Sequence, residues 1–165
     1  MAGRGNGLLL DLDEAEVEQV TAPDGQIHYL PTCLRDFDIR VALPSTSLRL
    51  GMVFSNNVKL FVGLVPRAYY QDGLPGVPRP RIHTDLHRSI ASLYQAVMSY
   101  APFHFFVNGG AILIAGSDVT RLERNLVSDD GLELDRYVLR ELGLSSPEYI
   151  ERLLAGDSDP FAKVS

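Results

Sequence analysis

The hydrophobic pattern of the chain is most regular in the segment 85–100. Its apolar residues recur every three or four positions, which is the spacing of one face of an α-helix. The resulting stripe consists of Leu86, Ile90, Leu93, Tyr94 and Val97. Pro102 follows, and a proline at that point ends a helix because it lacks the backbone N–H that the next turn needs. The pattern therefore predicts one amphipathic helix over about 85–100, with its stripe buried against a sheet.

Other segments carry alternating or β-branched apolar residues, which is the pattern of strands. They occur in pairs separated by residues that favour tight turns, at positions 22–25, 55–57 and 108–110. The three predicted hairpins join Val17–Thr21 to Gln26–Leu30, Leu48–Phe54 to Val58–Val65, and Phe103–Val107 to Ala111–Ala115. Two further strands are predicted at Leu8–Leu12 and Asp38–Leu43.

The last third of the chain predicts helices. Asp118 is a suitable N-cap for the segment that follows it, and Leu132–Leu142 has a helical period that Gly143 closes. Pro147 stands at the favoured first position of a third helix, which continues to Leu154. Hairpins, one central helix and a helical C-terminal region together indicate an α+β fold with a mostly antiparallel sheet.

A chain of 165 residues is long enough for one domain with a hydrophobic core, which we assign to residues 1–155. Residues 1–7 are predicted to be disordered, and residues 156–165 to form a flexible tail, because neither has a periodic apolar pattern. The segment 66–82 contains four prolines and is predicted to be a long loop. Long loops inside compact domains often carry binding residues.

Charge is distributed unevenly along the chain. The net charge of −6 disfavours general nucleic-acid binding, which depends on releasing counterions from phosphates. Residues 31–104, however, carry eight basic and four acidic side chains, between two acidic ends. Such blocks either face an anionic partner or neutralise each other within the fold or across a subunit interface.

The chain is expected to be cytoplasmic and to have no membrane contact. No apolar run approaches the roughly 20 residues that cross a bilayer, and the first residues do not have the pattern of a signal peptide. Cys33 is the single cysteine, so an intramolecular disulfide is excluded.

Two short motifs are candidates for metal chemistry. His83 and His87 are four residues apart, a spacing at which two side chains on one helix face bind one metal ion. A helix that begins at Thr84 or Asp85 would leave His83 outside it and remove that geometry. Asp11 and Asp13 follow an apolar segment and form the second candidate pair. These residues define one alternative function, a small metal-dependent enzyme.

The Pro-rich loop and the residues beside it are the best candidate for a contact surface. Arginines with neighbouring aromatic rings suit either a partner protein or a nucleic acid. The candidate partner-binding residues are Tyr69, Tyr70, Arg79, Arg81, His83, Arg88 and His104. His104 joins this set because strand alternation places it on the wetter face of its segment.

The sequence thus favours a non-catalytic protein-interaction or assembly module, such as an adaptor, a chaperone-like binder or a small subunit of a larger complex. We expect it to bind another protein through the loop 66–83 and adjacent surface, and to pair with itself as a homodimer. No cofactor is expected. A second alternative is nucleic-acid contact through Arg79, Arg81 and Arg88.

Overall fold

A computed structural model of the protein describes residues 9–49, 53–73, 76–114 and 119–156, which form an α+β fold. The strands are β1 (Val17–Thr21), β2 (Ile27–Pro31), β3 (Val41–Ala42), β4 (Ser47–Arg49), β5 (Val53–Ser55), β6 (Phe105–Ile114) and β7 (Val119–Ser128). The helices are α1 (Asn57–Leu60), α2 (Pro80–Thr84), α3 (Leu86–Tyr100), α4 (Gly131–Glu141) and α5 (Glu148–Leu154). The segment 1–7, predicted to be disordered, and the predicted flexible tail 156–165 apart from Gly156 lie outside the described residues.

The first hairpin has the form that its sequence predicts. β1 and β2 pair antiparallel from Val17 with Pro31 to Thr21 with Ile27. The turn between them closes through a 2.9 Å hydrogen bond from the Gly25 N–H to the Ala22 carbonyl. Gly25 has φ +82, a left-handed conformation that favours glycine at this position.

The second sheet is centred on β6 and is only partly built from hairpins. β7 pairs antiparallel along one edge of β6, whereas β3 and β4 lie parallel to the other edge, near its two ends. β5 completes the sheet by pairing antiparallel with β4. The parallel pairings were not expected, because they join segments about 65 residues apart and no turn between them signals the contact.

The central helix α3 carries the main core, as predicted. Ile90, Leu93 and Val97 are buried, and α3 contacts α1, α2, α5 and the first hairpin. Phe61, which ends α1, stacks on Tyr94 with ring centroids 5.3 Å apart. Burial of these large side chains in one cluster is the main driving force available to a chain of this size.

The helix predicted after Asp118 is wrong, because Val119–Ser128 forms β7. Its apolar spacing fits a helix as well as a strand, and pairing with β6 decides between them. The predicted turn at 108–110 is also wrong: β6 runs through it with an irregular register between Asn108 and Gly110. A Cβ at position 109 would collide with Asn125 Oδ1, so a larger residue there would require the exposed Asn125 side chain to move.

The predicted strand Val58–Val65 is helical instead, through α1 and a 3-10 turn at Phe61–Gly63. Leu8–Leu12 is likewise no strand in its described part, since Leu12 begins a 3-10 turn. The strand predicted over Asp38–Leu43 is reduced to β3. The loop 66–82 is shorter than expected, because Arg67–Tyr70 forms a 3-10 turn and α2 begins at Pro80.

Candidate functional sites

A cleft lies between the β1–β2 turn, α2 and the first turns of α3. It consists of two adjoining cavities of about 280 and 370 Å³, which share Gln26, Arg81 and Ser89. The more enclosed cavity is also lined by His28 and Tyr70, at its buried end. Cavities of this size accept small ligands or single side chains of a partner.

A buried chain of polar groups, which we call the hydroxyl relay, lies beneath the cleft. It consists of Tyr70, His28, Ser92 and Asp24. The Ser92 hydroxyl donates to Asp24 Oδ1 over 2.7 Å and lies 2.9 Å from His28 Nε2. The Tyr70 hydroxyl lies 3.5 Å from His28 Nδ1 and accepts from the Tyr29 N–H over 3.0 Å.

The directions of these hydrogen bonds assign the tautomer of His28. The proton of the Ser92 hydroxyl is used by Asp24, so its oxygen must accept from an Nε2–H of His28. Nδ1 is then an acceptor, and the Tyr70 hydroxyl donates to it. Every donor in the relay thereby has an acceptor, as buried polar groups require.

Burial and hydrogen bonding shift the pKa values of His28 and Asp24 in the relay. Burial lowers the pKa of His28 from 6.5 to about 4, so the ring is neutral at neutral pH. Burial acts to raise the pKa of Asp24, but hydrogen bonds from Ser92, Gln26 and Arg88 hold it below its ordinary value. At neutral pH the relay therefore contains a neutral imidazole, that of His28, and a carboxylate, that of Asp24.

The sequence-predicted residues of the loop have different positions. Tyr70 is buried in the relay, and Arg79 is largely buried, donating to the Val65 carbonyl over 2.6 Å. Tyr69 is exposed and stacks on Tyr29. Arg81 is exposed in the cleft, with its guanidinium 5.9 Å from the Tyr70 ring centroid. Only Tyr69 and Arg81 of these four are therefore accessible to a partner.

The two candidate histidines are on different helices, because the chain breaks between α2 and α3 at Asp85. His83 Nδ1 lies 3.2 Å from the Arg79 carbonyl oxygen, and the His87 ring stacks on Tyr149. Among the described residues, no group of three or more His, Cys, Asp or Glu side chains is arranged to hold a metal ion. The structure does not bring the two imidazoles together on one helix face.

The remaining candidates form contacts within the fold. Arg88 donates to Asp24 Oδ2 over 3.2 Å, which ties α3 to the first turn. His104 Nδ1 accepts from the Arg40 N–H over 3.1 Å and so fixes the chain before β3. The acidic pair is divided: Asp11 caps a 3-10 turn, whereas Asp13 pairs with Arg67 at 3.0 Å.

A second buried polar group, the asparagine cluster, lies where β6 is irregular. It consists of Thr46, Asn56, Asn57, Asn108 and Asp135. The Asn108 amide donates to Asn56 Oδ1 over 2.5 Å and to Thr46 Oγ1 over 2.8 Å. The Asn57 amide in turn donates to Asn108 Oδ1 and to Asp135 Oδ1. The cluster thus joins α1, α4 and the second sheet.

Asp135 holds the start of α1. Its carboxylate accepts from the backbone N–H groups of Asn57 and Val58 over 3.0 and 3.1 Å. N–H groups in the first turn of a helix have no acceptor within the helix. Burial raises the pKa of Asp135 to about 7, against the opposing effect of these hydrogen bonds. This contact explains why the segment after Asn57 is helical and not a strand.

The end of the second sheet that includes β3 and the start of β6 has an apolar, exposed face. This apolar strip consists of Ile39, Val41, Leu43, Phe105 and Val127, each between 44% and 70% exposed. Val41 is the register partner of Phe105, and Val127 lies opposite Val107, which is on the same face as Phe105. Large exposed apolar patches on soluble domains mark interaction surfaces.

Sequence reasoning missed Asp24, His28 and Ser92, the centre of the relay. Asp24 was assigned only to a turn, and its contact with Ser92 spans 68 positions. One signal was present: Arg88, Ser89 and Ser92 form a polar stripe beside the apolar stripe of α3. Such a stripe on a central helix indicates a polar contact, although its partner is not readable from the sequence.

No protein-family model, curated protein or solved structure matches the chain in the comparisons made. In the described part of the chain, none of the helices is long and apolar enough to cross a membrane. The function is therefore argued from the geometry of the cleft, the two buried clusters and the apolar strip.

Proposed function

We propose that the protein is a non-catalytic interaction and assembly module, and that it pairs with a second copy of itself through the apolar strip. The observation that carries the proposal is the exposure of five neighbouring apolar side chains on one sheet face. Exposing such a face to water is unfavourable, and a partner surface that covers it recovers the hydrophobic free energy.

The composition of the strip supports a second copy as the partner. In a two-fold interface the same patch of each copy packs against that of the other, and an uncharged patch then forms no like-charge contacts.

The alternative of nucleic-acid contact receives less support from the loop than its sequence suggests. Arg79 and Arg88 donate to groups within the fold, which leaves Arg81 as the most accessible of the three arginines. Nucleic-acid binding depends on several free cations along one surface. We therefore propose that the main contact is at the apolar strip of the second sheet and not at the loop 66–83.

Sedimentation velocity over a range of protein concentrations tests the pairing. The wild-type chain is expected to show a concentration-dependent dimer. Leu43→Glu and Val127→Glu place charges at positions that are 70% and 64% exposed, so they leave the monomer folded and prevent pairing.

Leu154→Glu is the matched control, because Leu154 is an exposed leucine on α5, outside the strip. This variant is expected to pair like the wild type. A wild-type chain that stays monomeric at all concentrations overturns the proposal. Pairing that survives both strip substitutions does so as well, because the interface then lies elsewhere.

A further inference from the structure

We propose that the cleft beside the β1–β2 turn binds a small carboxylic acid with a compact apolar body. In this arrangement Arg81 and Ser89 bind the carboxylate, and Tyr70 and Ile27 contact the body. The inference goes beyond self-association, because the cleft and the apolar strip share no residue.

Arg81 supplies the charge. It lines both cavities of the cleft and is exposed, and within the described residues it forms no ion pair. The neighbouring Tyr70 ring limits where the guanidinium can lie, through a cation–π contact at 5.9 Å. A guanidinium in this setting presents a planar set of donors that matches a carboxylate.

Ser89 supplies a second donor. Its side chain lines both cavities although the residue is only 7% exposed. Its hydroxyl has no hydrogen-bond partner among the described residues, unlike that of Ser92 one turn further along α3. The hydroxyl oxygen is not among the buried unpartnered atoms of the described residues, so it is accessible from the cavity, where it can donate to water or to a ligand oxygen.

The surrounding charges favour a monoanion over a phosphate. The positive charge of Arg88 is already opposed by Asp24, and Asp72 and Asp85 line the more open cavity. One guanidinium, Arg81, therefore remains for the ligand, which matches the single charge of a carboxylate. Asp72 and Asp85 repel any anion in the more open cavity, so the single ligand charge is placed at the enclosed cavity, which Arg81 lines and neither aspartate does. A second negative charge would face the two carboxylates without a cation of its own.

The enclosed end of the cleft determines the rest of the ligand. Its cavity of about 280 Å³ has one apolar wall, formed by Ile27, Ile82 and the Tyr70 ring, beside the polar side chains of Gln26, Arg81 and Ser89. His28 beside them is neutral at neutral pH, because burial lowers its pKa to about 4. A flat or branched apolar group of the size of one ring fits this space.

Benzoate is a suitable probe, with benzamide as its neutral counterpart and phenyl phosphate as its dianionic one. Titrations followed by ¹H–¹⁵N spectra are expected to show saturable shifts of the Gln26 and Ser89 amides with benzoate at millimolar concentration. Arg81→Ala weakens this binding about tenfold or more, as loss of a charge-assisted hydrogen bond does. Arg140→Ala removes an exposed arginine of α4 and leaves the binding unchanged.

Three outcomes overturn the assignment: no saturable shift with benzoate, equal binding of benzamide, or equal binding to Arg81→Ala. Phenyl phosphate that binds as tightly as benzoate overturns the preference for a monoanion. The Leu43→Glu monomer is expected to bind benzoate like the wild type, so a failure of the pairing proposal and a failure of this one are distinguishable.

Discussion

The hydroxyl relay and the asparagine cluster are both buried polar groups, yet they place their ionisable side chains in opposite situations. In the relay, burial lowers the pKa of His28, and the carboxylate of Asp24 has an arginine partner. In the asparagine cluster, Asp135 is fully buried and accepts hydrogen bonds from amide N–H groups. Burial raises its pKa to about 7, although these hydrogen bonds act to lower it. The relay also borders a cavity, whereas the cluster joins elements of the core.

This difference indicates different roles for the two groups. The relay fixes the wall of a cleft, where a ligand can contact Tyr70 and His28 directly. The cluster instead sets local structure, because Asp135 satisfies N–H groups that would otherwise be unpaired at the start of α1. Removing a member of the cluster is therefore expected to affect stability more than removing a member of the relay.

The largest effect is expected for Asp135→Ala. The substitution leaves the backbone N–H groups of Asn57 and Val58 without their acceptor inside the protein, and the Asn57 side-chain amide keeps only Asn108 Oδ1. Each buried unsatisfied donor is costly, and we expect the free energy of unfolding to fall by about 4 kcal/mol. Urea denaturation followed by circular dichroism measures it.

Asp129→Ala is the matched control, since Asp129 is an exposed aspartate just before α4. Its effect is expected to stay within about 0.5 kcal/mol. Equal, small effects of the two substitutions would contradict the role assigned to Asp135 in holding α1.

Asp135 also shows why the sequence predicts only part of the fold. The α3 stripe and the Pro-Asp-Gly hairpin depend on neighbours in the chain, and both predictions are confirmed. The segment after Asn57 depends on a carboxylate 78 positions away, so its β-branched composition predicted a strand that does not form. The same applies to β7, because its apolar spacing is compatible with a helix or a strand, and pairing with β6 selects the strand.

The candidate site was predicted in location more than in detail. The loop 66–83 and Arg88 do border the cleft, since Tyr70, Arg81 and Arg88 line its cavities. The charge of Arg79 predicts a binding residue, but its left-handed backbone at φ 55 and its hydrogen bonds to the Val65 and Gly63 carbonyls make it part of the scaffold. Charge along a sequence does not reveal which carbonyl groups a long side chain will reach.

The relay and the asparagine cluster are also expected to change the free energy of unfolding in opposite directions as pH rises. Asp135 binds its proton more tightly in the folded chain, between pH 3.8 and about 7. Its contribution to the free energy of unfolding therefore falls as pH rises through that window. His28 binds its proton less tightly in the folded chain, between about 4 and 6.5, so its contribution rises with pH.

The contributions are on the order of 4 kcal/mol for Asp135 and 3 kcal/mol for His28 over their windows. Thermal or urea unfolding of the wild type, Asp135→Asn and His28→Gln across these pH values measures them as differences from the wild type. The wild type should lose its advantage over Asp135→Asn as pH rises and gain advantage over His28→Gln. Difference curves of the same sign would show that the two buried groups are not in opposite electrostatic situations.

The smallest effect is expected for Tyr70→Phe, which removes one hydroxyl from the relay and keeps the ring. The Tyr29 N–H then loses its acceptor, and His28 Nδ1 loses its donor. We expect destabilisation of about 1 kcal/mol, smaller than at Asp135, because water in the adjoining cavity can replace the hydroxyl. Tyr69→Phe is the matched control on the neighbouring residue, whose exposed ring stacks on Tyr29, and it should change stability by less than about 0.5 kcal/mol. A loss of stability in Tyr70→Phe as large as that in Asp135→Ala would mean that water reaches the relay no more easily than the asparagine cluster. That result would contradict the proposal that a ligand in the cleft contacts Tyr70.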